Sequence, residues 1–268
     1  MNKRRVIPVV LLRNGWLVQS IQFSRYQNLG NPVWAVKRLS EWASDELIYL
    51  DITAGDHYDL RRDDLGAANR SSFLEIIADV SKVTFMPMTV GGKIRTLEDI
   101  EVRLALGADK VSINTAAFDD PGFVRRAAAQ FGSQCIVVSI DYKEINGGKR
   151  VMVEGGKRDT GLDPVHWARS VQQMGAGEIL LNSIDRDGLK SGYDIDTISE
   201  VCAAVTIPVI ALGGVGRWEH FQEALDRTTV HAVAAANIFQ HTDQSVYYAK
   251  KHLFEAQCNV REPALITL

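Results

Sequence analysis

Cysteine is scarce. The chain carries three, Cys135, Cys202 and Cys258, an odd number set far apart and without a CxxC pair. That argues against a disulfide framework or a thiolate zinc site and suits a reducing, cytoplasmic compartment. Charge of one sign is not in excess. The formal net charge is −3 and the pI about 6.1, so nothing points to nucleic acid or to a charged tail. No apolar run approaches the length of a membrane helix. The opening "MNKRRVIPVVLLRNG" has basic residues before a short apolar run, but it lacks the length and cleavage site of a signal peptide and reads as a first buried strand. The histidines, His57, His166, His220, His231, His241 and His252, form no HxH or HxxxH pair, so no metal is expected. Trp16, Trp34, Trp42, Trp167 and Trp218 read as packing residues. GxSxG, Walker and Rossmann fingerprints are missing, and no cofactor is expected.

What is present is a recurring pattern. The chain has 268 residues, 46% of them hydrophobic, enough for a sizeable core. Short runs rich in Val and Ile predict strands at 5–12, 46–52, 85–90, 110–114, 135–141, 178–184, 208–213 and 232–237. They show little alternation, as strands covered on both faces do. Between and after them, apolar residues at helical spacing predict helices at 31–44, 71–83, 96–107, 119–132, 163–175, 194–205, 217–228 and 244–256. Several start after Asn, Ser, Thr or Asp and stop at Gly, as helix caps require. Strand and helix alternating eight times, in a chain of this length, predict an α/β fold: a closed (β/α)8 TIM barrel, one domain over 1–268. A doubly wound open sheet is the alternative, but no glycine fingerprint follows the first strand.

The sequence also repeats itself. "DELIYLDIT" (45–53) resembles "GEILLNSID" (177–185), and "TVGGKIRTLEDI" (89–100) resembles "ALGGVGRWEHFQ" (211–222). Gly91 and Asn114 lie 23 positions apart, as do Gly213 and Ala236. Two half-barrels, about 1–130 and 131–268, follow from this reading. Aligned on the repeat, "IPVVLLRNG" (7–15) and "VVSIDYKEINGG" (137–148) both read as a strand running into a polar loop, and Leu11 falls opposite Asp141. The polar stretch 55–72 has no counterpart in the second half; a lid and a solvated insertion both fit it.

Chemistry in such barrels gathers where strands end. Gly91–Gly92 with Asn114–Thr115, and Gly213–Gly214 with Ala236–Asn237, offer each half one cradle for an anion such as phosphate, on opposite sides of the mouth. Tight turns without a ligand are the plainer reading of the same glycines. Asp51 and Asp141 close strands in which aspartate is a poor fit, so each needs a partner or a task in proton transfer. The charges Asp185, Arg186, Asp187 and Lys190 crowd a glycine-rich loop that reads either as functional or as an exposed salt-bridged turn.

The stretches "DELIYLDITA", "TVGGKIRTLED", "GADKVSINTAA", "FGSQCIVVSIDYK", "GAGEILLNSIDRDGLKSGYD" and "IPVIALGGVG" resemble the cyclase subunit of imidazole glycerol phosphate synthase over essentially the whole chain. The resemblance implies a barrel paired, as a heterodimer, with a glutamine amidotransferase at its N-terminal face. Ammonia from that partner crosses the barrel and cleaves and cyclises a nucleotide carrying two phosphates. By resemblance, Asp141 is one of two catalytic aspartates, and Gly91, Gly92, Asn114, Thr115, Gly213, Gly214 and Asn237 hold the phosphates. Arg5, Glu46, Lys110 and Glu178 match the charged gate for ammonia, with Asp109 beside it facing the partner; a layer that merely closes the barrel floor is the alternative. Three departures stand out. Lys93 replaces a third glycine, Asn182 a hydroxyl residue of the loop after the sixth barrel strand, and Leu11 the other catalytic aspartate. A leucine cannot handle protons. The "RRVIPxxLL" start resembles a branch of the family found in surface-polysaccharide gene clusters, which implies ammonia supply to a separate amidotransferase acting on a sugar. Two further readings stay open: a working cyclase in which Asp51 or Asp185 replaces the missing acid, and a scaffold that activates the glutaminase.

Overall fold

The computed structural model describes residues 3–59 and 70–265. The strands are β1 (Arg5–Arg13), β2 (Trp16–Ile21), β3 (Arg25–Gly30), β4 (Leu47–Asp51), β5 (Met88–Gly91), β6 (Lys110–Ile113), β7 (Ile136–Ile145), β8 (Gly148–Val153), β9 (Arg158–Asp159), β10 (Glu178–Ser183), β11 (Val209–Leu212) and β12 (Ala232–Ala235). The helices are α1 (Pro32–Glu41), α2 (Phe73–Val80), α3 (Leu97–Ala105), α4 (Thr115–Asp119), α5 (Pro121–Phe131), α6 (Pro164–Gln173), α7 (Ile195–Ala204), α8 (Trp218–Arg227) and α9 (Ser245–Glu255). Parallel pairing runs β1–β4–β5–β6–β7–β10–β11–β12 and back to β1, which closes an eight-stranded barrel. The expected fold class is therefore the observed one. Among the described residues no helix is long and apolar enough to cross a membrane.

Local chemistry sets the element ends. Asn31, Ser72, Asp120, Asp163 and Asp194 each accept a backbone N–H of the first turn they precede, and Thr96 with Asp99 forms a reciprocal capping box. The helix expected over 119–132 is α5, started by Pro121 behind the Asp120 cap, and the short α4 ahead of it was not expected. Strand alternation then divides the core. Val6, Val10, Leu47, Tyr49, Val90, Val111, Val138, Ile179 and Val233 face the helices. Ile7, Val9, Leu11, Ile48, Val137, Leu180, Ile210, Leu212, Ala232 and Ala234 fill the barrel interior as a separate cluster.

Two hairpins depart from the expected polar loops after the first and fifth barrel strands. β2 and β3 extend antiparallel from β1, and β8 and β9 from β7. Both turns are Asn-Gly, Asn14–Gly15 and Asn146–Gly147, with φ of 53°, 76°, 53° and 78°. Positive φ at both turn positions is what a two-residue hairpin turn needs, and Asn-Gly supplies it at least cost.

Register settles which residues correspond. Leu11 lies beside Leu50, and Asp141 beside Asn182, so Leu11 and Asp141 hold the same place in the two halves. The glycine pairs require a correction. Leu50 lies beside Gly91, but Asn182 lies beside Leu212. Gly91 therefore matches Leu212, Gly92 matches Gly213, and Lys93 matches Gly214. Thr89 lies beside Lys110 and Ile210 beside Ala232, so the second half has one extra residue between these strands. The local likeness of the two Gly-Gly pairs conceals that insertion. Backbone angles agree with the corrected match: φ is 109° at Gly92 and 102° at Gly213, and 56° at Lys93 and 99° at Gly214.

Candidate active site at the barrel mouth

Asp141 stands near the C-terminal end of the barrel part of β7, partly buried at the mouth. Asn182 Nδ2 donates to its Oδ1 at 3.1 Å, Ser139 Oγ to the same oxygen at 3.3 Å, and Asn114 Nδ2 to Oδ2 at 3.3 Å. Ser139 and Asn182 share its inward face by alternation and register. Desolvation lifts its pKa to about 6. The Asn182 and Ser139 hydrogen bonds pull against that rise, and the charge of Asp187 adds to it. A carboxyl group poised there can both give and take a proton near neutral pH. Asn182 Oδ1 is buried without a partner among the described residues.

Across the mouth, Leu11 is 8% exposed and belongs to the apolar interior cluster. Its cross-strand neighbours are Leu50 and Val18. The place that holds an aspartate, an asparagine and a serine in one half is aliphatic in the other.

The residues assigned to two anion cradles are engaged with the protein itself. Asn114 Nδ2 also donates to Ser139 O at 3.1 Å and Met152 O at 3.5 Å. Thr115 Oγ1 accepts the Glu154 N–H at 3.0 Å. Asn237 Oδ1 accepts the Ser20 N–H at 3.3 Å, and its Nδ2 donates to Ser20 O at 2.7 Å. Val18 pairs with Leu11 and Met152 with Asp141, so Ser20 and Glu154 are equivalent, as are Asn237 and Thr115. Each half thus uses the second residue after its last barrel strand to grip a hairpin by the same backbone N–H. The first hairpin is held further by Asp187, whose Oδ2 accepts from Ser20 Oγ at 2.7 Å. Burial raises the Asp187 pKa.

The glycines are required by close backbone approach. A Cβ on Gly92 would meet Asp51 O at 2.3 Å, and one on Gly214 would meet Gly192 O at 2.0 Å. Lys93 occupies the left-handed region instead of a glycine. Its Nζ lies 3.5 Å from Asp51 Oδ2 and 5.3 Å from the centroid of the Tyr58 ring. Asp51 is turned away from Asp141. It sits opposite Leu12, on the helix-facing side of β4, and accepts from Thr53 N at 3.0 Å, Thr53 Oγ1 at 2.5 Å and Tyr58 OH at 3.2 Å. Asp185 Oδ2 accepts the Glu144 N–H at 2.7 Å, near the turn of the second hairpin. The 55–72 stretch is described only in part, and residues 60–69 lie outside the described residues.

At the opposite end, Arg5, Glu46, Lys110 and Glu178 form a closed ring. Arg5 NH1 reaches Glu46 Oε1 at 2.7 Å and Arg5 NH2 bonds Glu178; Lys110 Nζ reaches Glu46 Oε2 at 3.3 Å and Glu178 Oε2 at 2.9 Å. Each cation bridges both carboxylates, the arrangement that offsets the desolvation of partly buried charge. Asp109, beside it, accepts the Met88 N–H at 2.8 Å.

Sequence reasoning did not single out Ser139, although it stands two residues before Asp141 on the same strand face. It also passed over Arg13 and Tyr26, because the hairpin that presents them was read as loop. The Asn-Gly turn was the available signal. A family model described as "Histidine biosynthesis protein" matches residues 5–245. With a closed eight-stranded barrel, a carboxylate at the mouth and a match over nearly its whole length, the chain belongs to the histidine biosynthesis protein family.

Proposed function

We propose that this chain is a relative of the cyclase subunit of imidazole glycerol phosphate synthase, taking ammonia from a glutamine amidotransferase at its floor and passing it through the barrel to the mouth. The nitrogen then serves amidation of a sugar by a separate enzyme in surface-polysaccharide assembly. One observation carries this reading: among the described residues the mouth has a single proton-handling carboxylate, Asp141, and its counterpart, Leu11, is packed among Leu50 and Val18. A cyclisation that needs an acid and a base on opposite sides of the substrate has only one of them. The complete four-residue ring at the floor supports a retained route for a small neutral amine, since the charges pair with one another. The small side chains of Ala232 and Ala234 line the interior above it.

A working cyclase is the second reading, favoured by the environment that lifts Asp141 to about 6. It needs a replacement for the missing acid. Asp51 is committed to Thr53, Tyr58 and Lys93, and Asp185 to the Glu144 backbone, so neither stands at the vacant place. The test is the purified chain with ammonium and the bisphosphate nucleotide, followed by the same chain with a glutaminase partner and glutamine. The proposal expects no cyclisation above background in the first and stimulated glutamine hydrolysis in the second. Cyclisation at an ordinary enzymatic rate rejects it.

A further inference from the structure

The first hairpin encloses a space that the reactions above do not use. A cavity of about 220 Å³ lies against it, bounded by Arg13, Trp16, Val18, Tyr26, Asn28 and Asp59. Register places these hairpin residues on one face: Leu11 opposite Val18, Arg13 opposite Trp16, Val18 opposite Asn28 and Ser20 opposite Tyr26. That is the face turned to the barrel interior, because Val18 belongs to the interior cluster and Tyr26 packs against it. The cavity therefore opens over the side of the mouth where Leu11 stands.

We propose that this cavity binds a ring-sized organic anion, its apolar face on Tyr26 and Val18 and its oxyanion on Arg13. Three features support it. The Arg13 guanidinium lies 4.7 Å from the Tyr26 ring centroid and, among the described residues, pairs with no carboxylate. A cation held flat over an aromatic ring still presents its N–H edge to an oxyanion, and a guanidinium suits carboxylate and phosphate alike. Trp16, 3% exposed, forms part of the wall, and its buried indole N–H has no acceptor among the described residues. A ligand oxygen would satisfy that donor. Beneath Val18, position 11 is a leucine. A carboxylate there would repel an anion above it, so the same substitution that removes an acid from the mouth clears the way for this ligand. The proposal does not depend on where the nitrogen goes, and its failure leaves the ammonia reading untouched.

The oxyanion can come from a phosphate ester or a carboxylic acid, so both are tested on the intact chain. Ribose 5-phosphate, glucuronate, inorganic phosphate and uncharged ribose are titrated by calorimetry, with the Trp16 indole N–H followed by NMR. We expect at least one ring anion to shift the Trp16 signal and to lose tenfold or more in affinity in Arg13→Gln, whose exposed position should leave the melting temperature unchanged. A response to ribose 5-phosphate alone assigns the ligand to phosphate esters, a response to glucuronate alone to carboxylic acids. Leu11→Asp should also weaken binding at pH above the titration of the new carboxyl. Anion binding that neither moves the Trp16 signal nor depends on Arg13 belongs to the glycine turns and overturns the proposal. So does equal binding of ring anions by Arg13→Gln, or inorganic phosphate reproducing the full effect.

Discussion

Leu11 and Asp141 occupy the same place in the two halves of one barrel, Leu11 in register with Leu50 and Asp141 with Asn182. The pairs differ as units. Asp141 needs a donor beside it, and Asn182 supplies one at 3.1 Å. Leu11 needs an apolar neighbour, and Leu50 packs against its cluster. Replacing one member of either pair leaves the other mismatched.

Leu11→Asp should therefore be costly by itself. A carboxylate placed in the interior cluster, without the amide that Asp141 enjoys, should destabilise the protein by about 3 kcal/mol. Adding Leu50→Asn recreates the Asp141–Asn182 arrangement and should recover at least about 1 kcal/mol as coupling between neighbours. Urea unfolding of the two single variants and the double variant measures this. Strict additivity would show that the two positions do not act as a pair.

Asp141 makes stability depend on pH. Its folded pKa, about 6, lies above the ordinary aspartate value because the charged form is desolvated. The folded state then holds the proton more tightly than the unfolded one. The stability this gives is fully present below about pH 4, falls as pH rises through about 6, and is level above that. Asp141→Asn removes the titration. The stability difference between wild type and Asp141→Asn should turn against wild type between about pH 4 and about pH 6. A difference that is flat across that window contradicts the assigned environment.

Lys93 carries two opposed effects. Its φ of 56° costs a lysine what it would not cost the glycine found at the equivalent Gly214. Its ammonium neutralises Asp51, whose side chain is 0% exposed. Lys93→Met keeps the strain and strips the charge; Lys93→Gly relieves the strain as well. Both should destabilise, and Lys93→Met should be worse by about 1 kcal/mol. Thermal or urea unfolding of the two variants decides it.

The barrel was legible because runs such as "CIVVSID" and "EILLNSI" mark buried parallel strands, and glycines and caps mark the intervening helix ends. The hairpins were less visible. Ser20 to Asn28 mixes polar and aromatic residues because one face lies on the mouth and the other meets solvent, so neither a buried run nor clean alternation shows. The glycine equivalence failed for another reason. A one-residue difference in the connection between barrel strands is silent in a local match, and only hydrogen-bond register exposes it. The grip of Asn237 on Ser20 spans 217 positions and leaves no local trace. Asp51 looked like Asp141 in sequence, and only strand alternation separates the one that faces the helices from the one that faces the mouth.

The account turns on Asp141 as the single proton-handling carboxylate among the described residues of the mouth. The direct measurement is product formation by the purified chain supplied with saturating ammonium and the bisphosphate nucleotide, beside Asp141→Asn as the blank. The account predicts that the two are indistinguishable. Turnover on the order of 1 s⁻¹, typical of an enzyme on its own substrate, and abolished by Asp141→Asn, would contradict it.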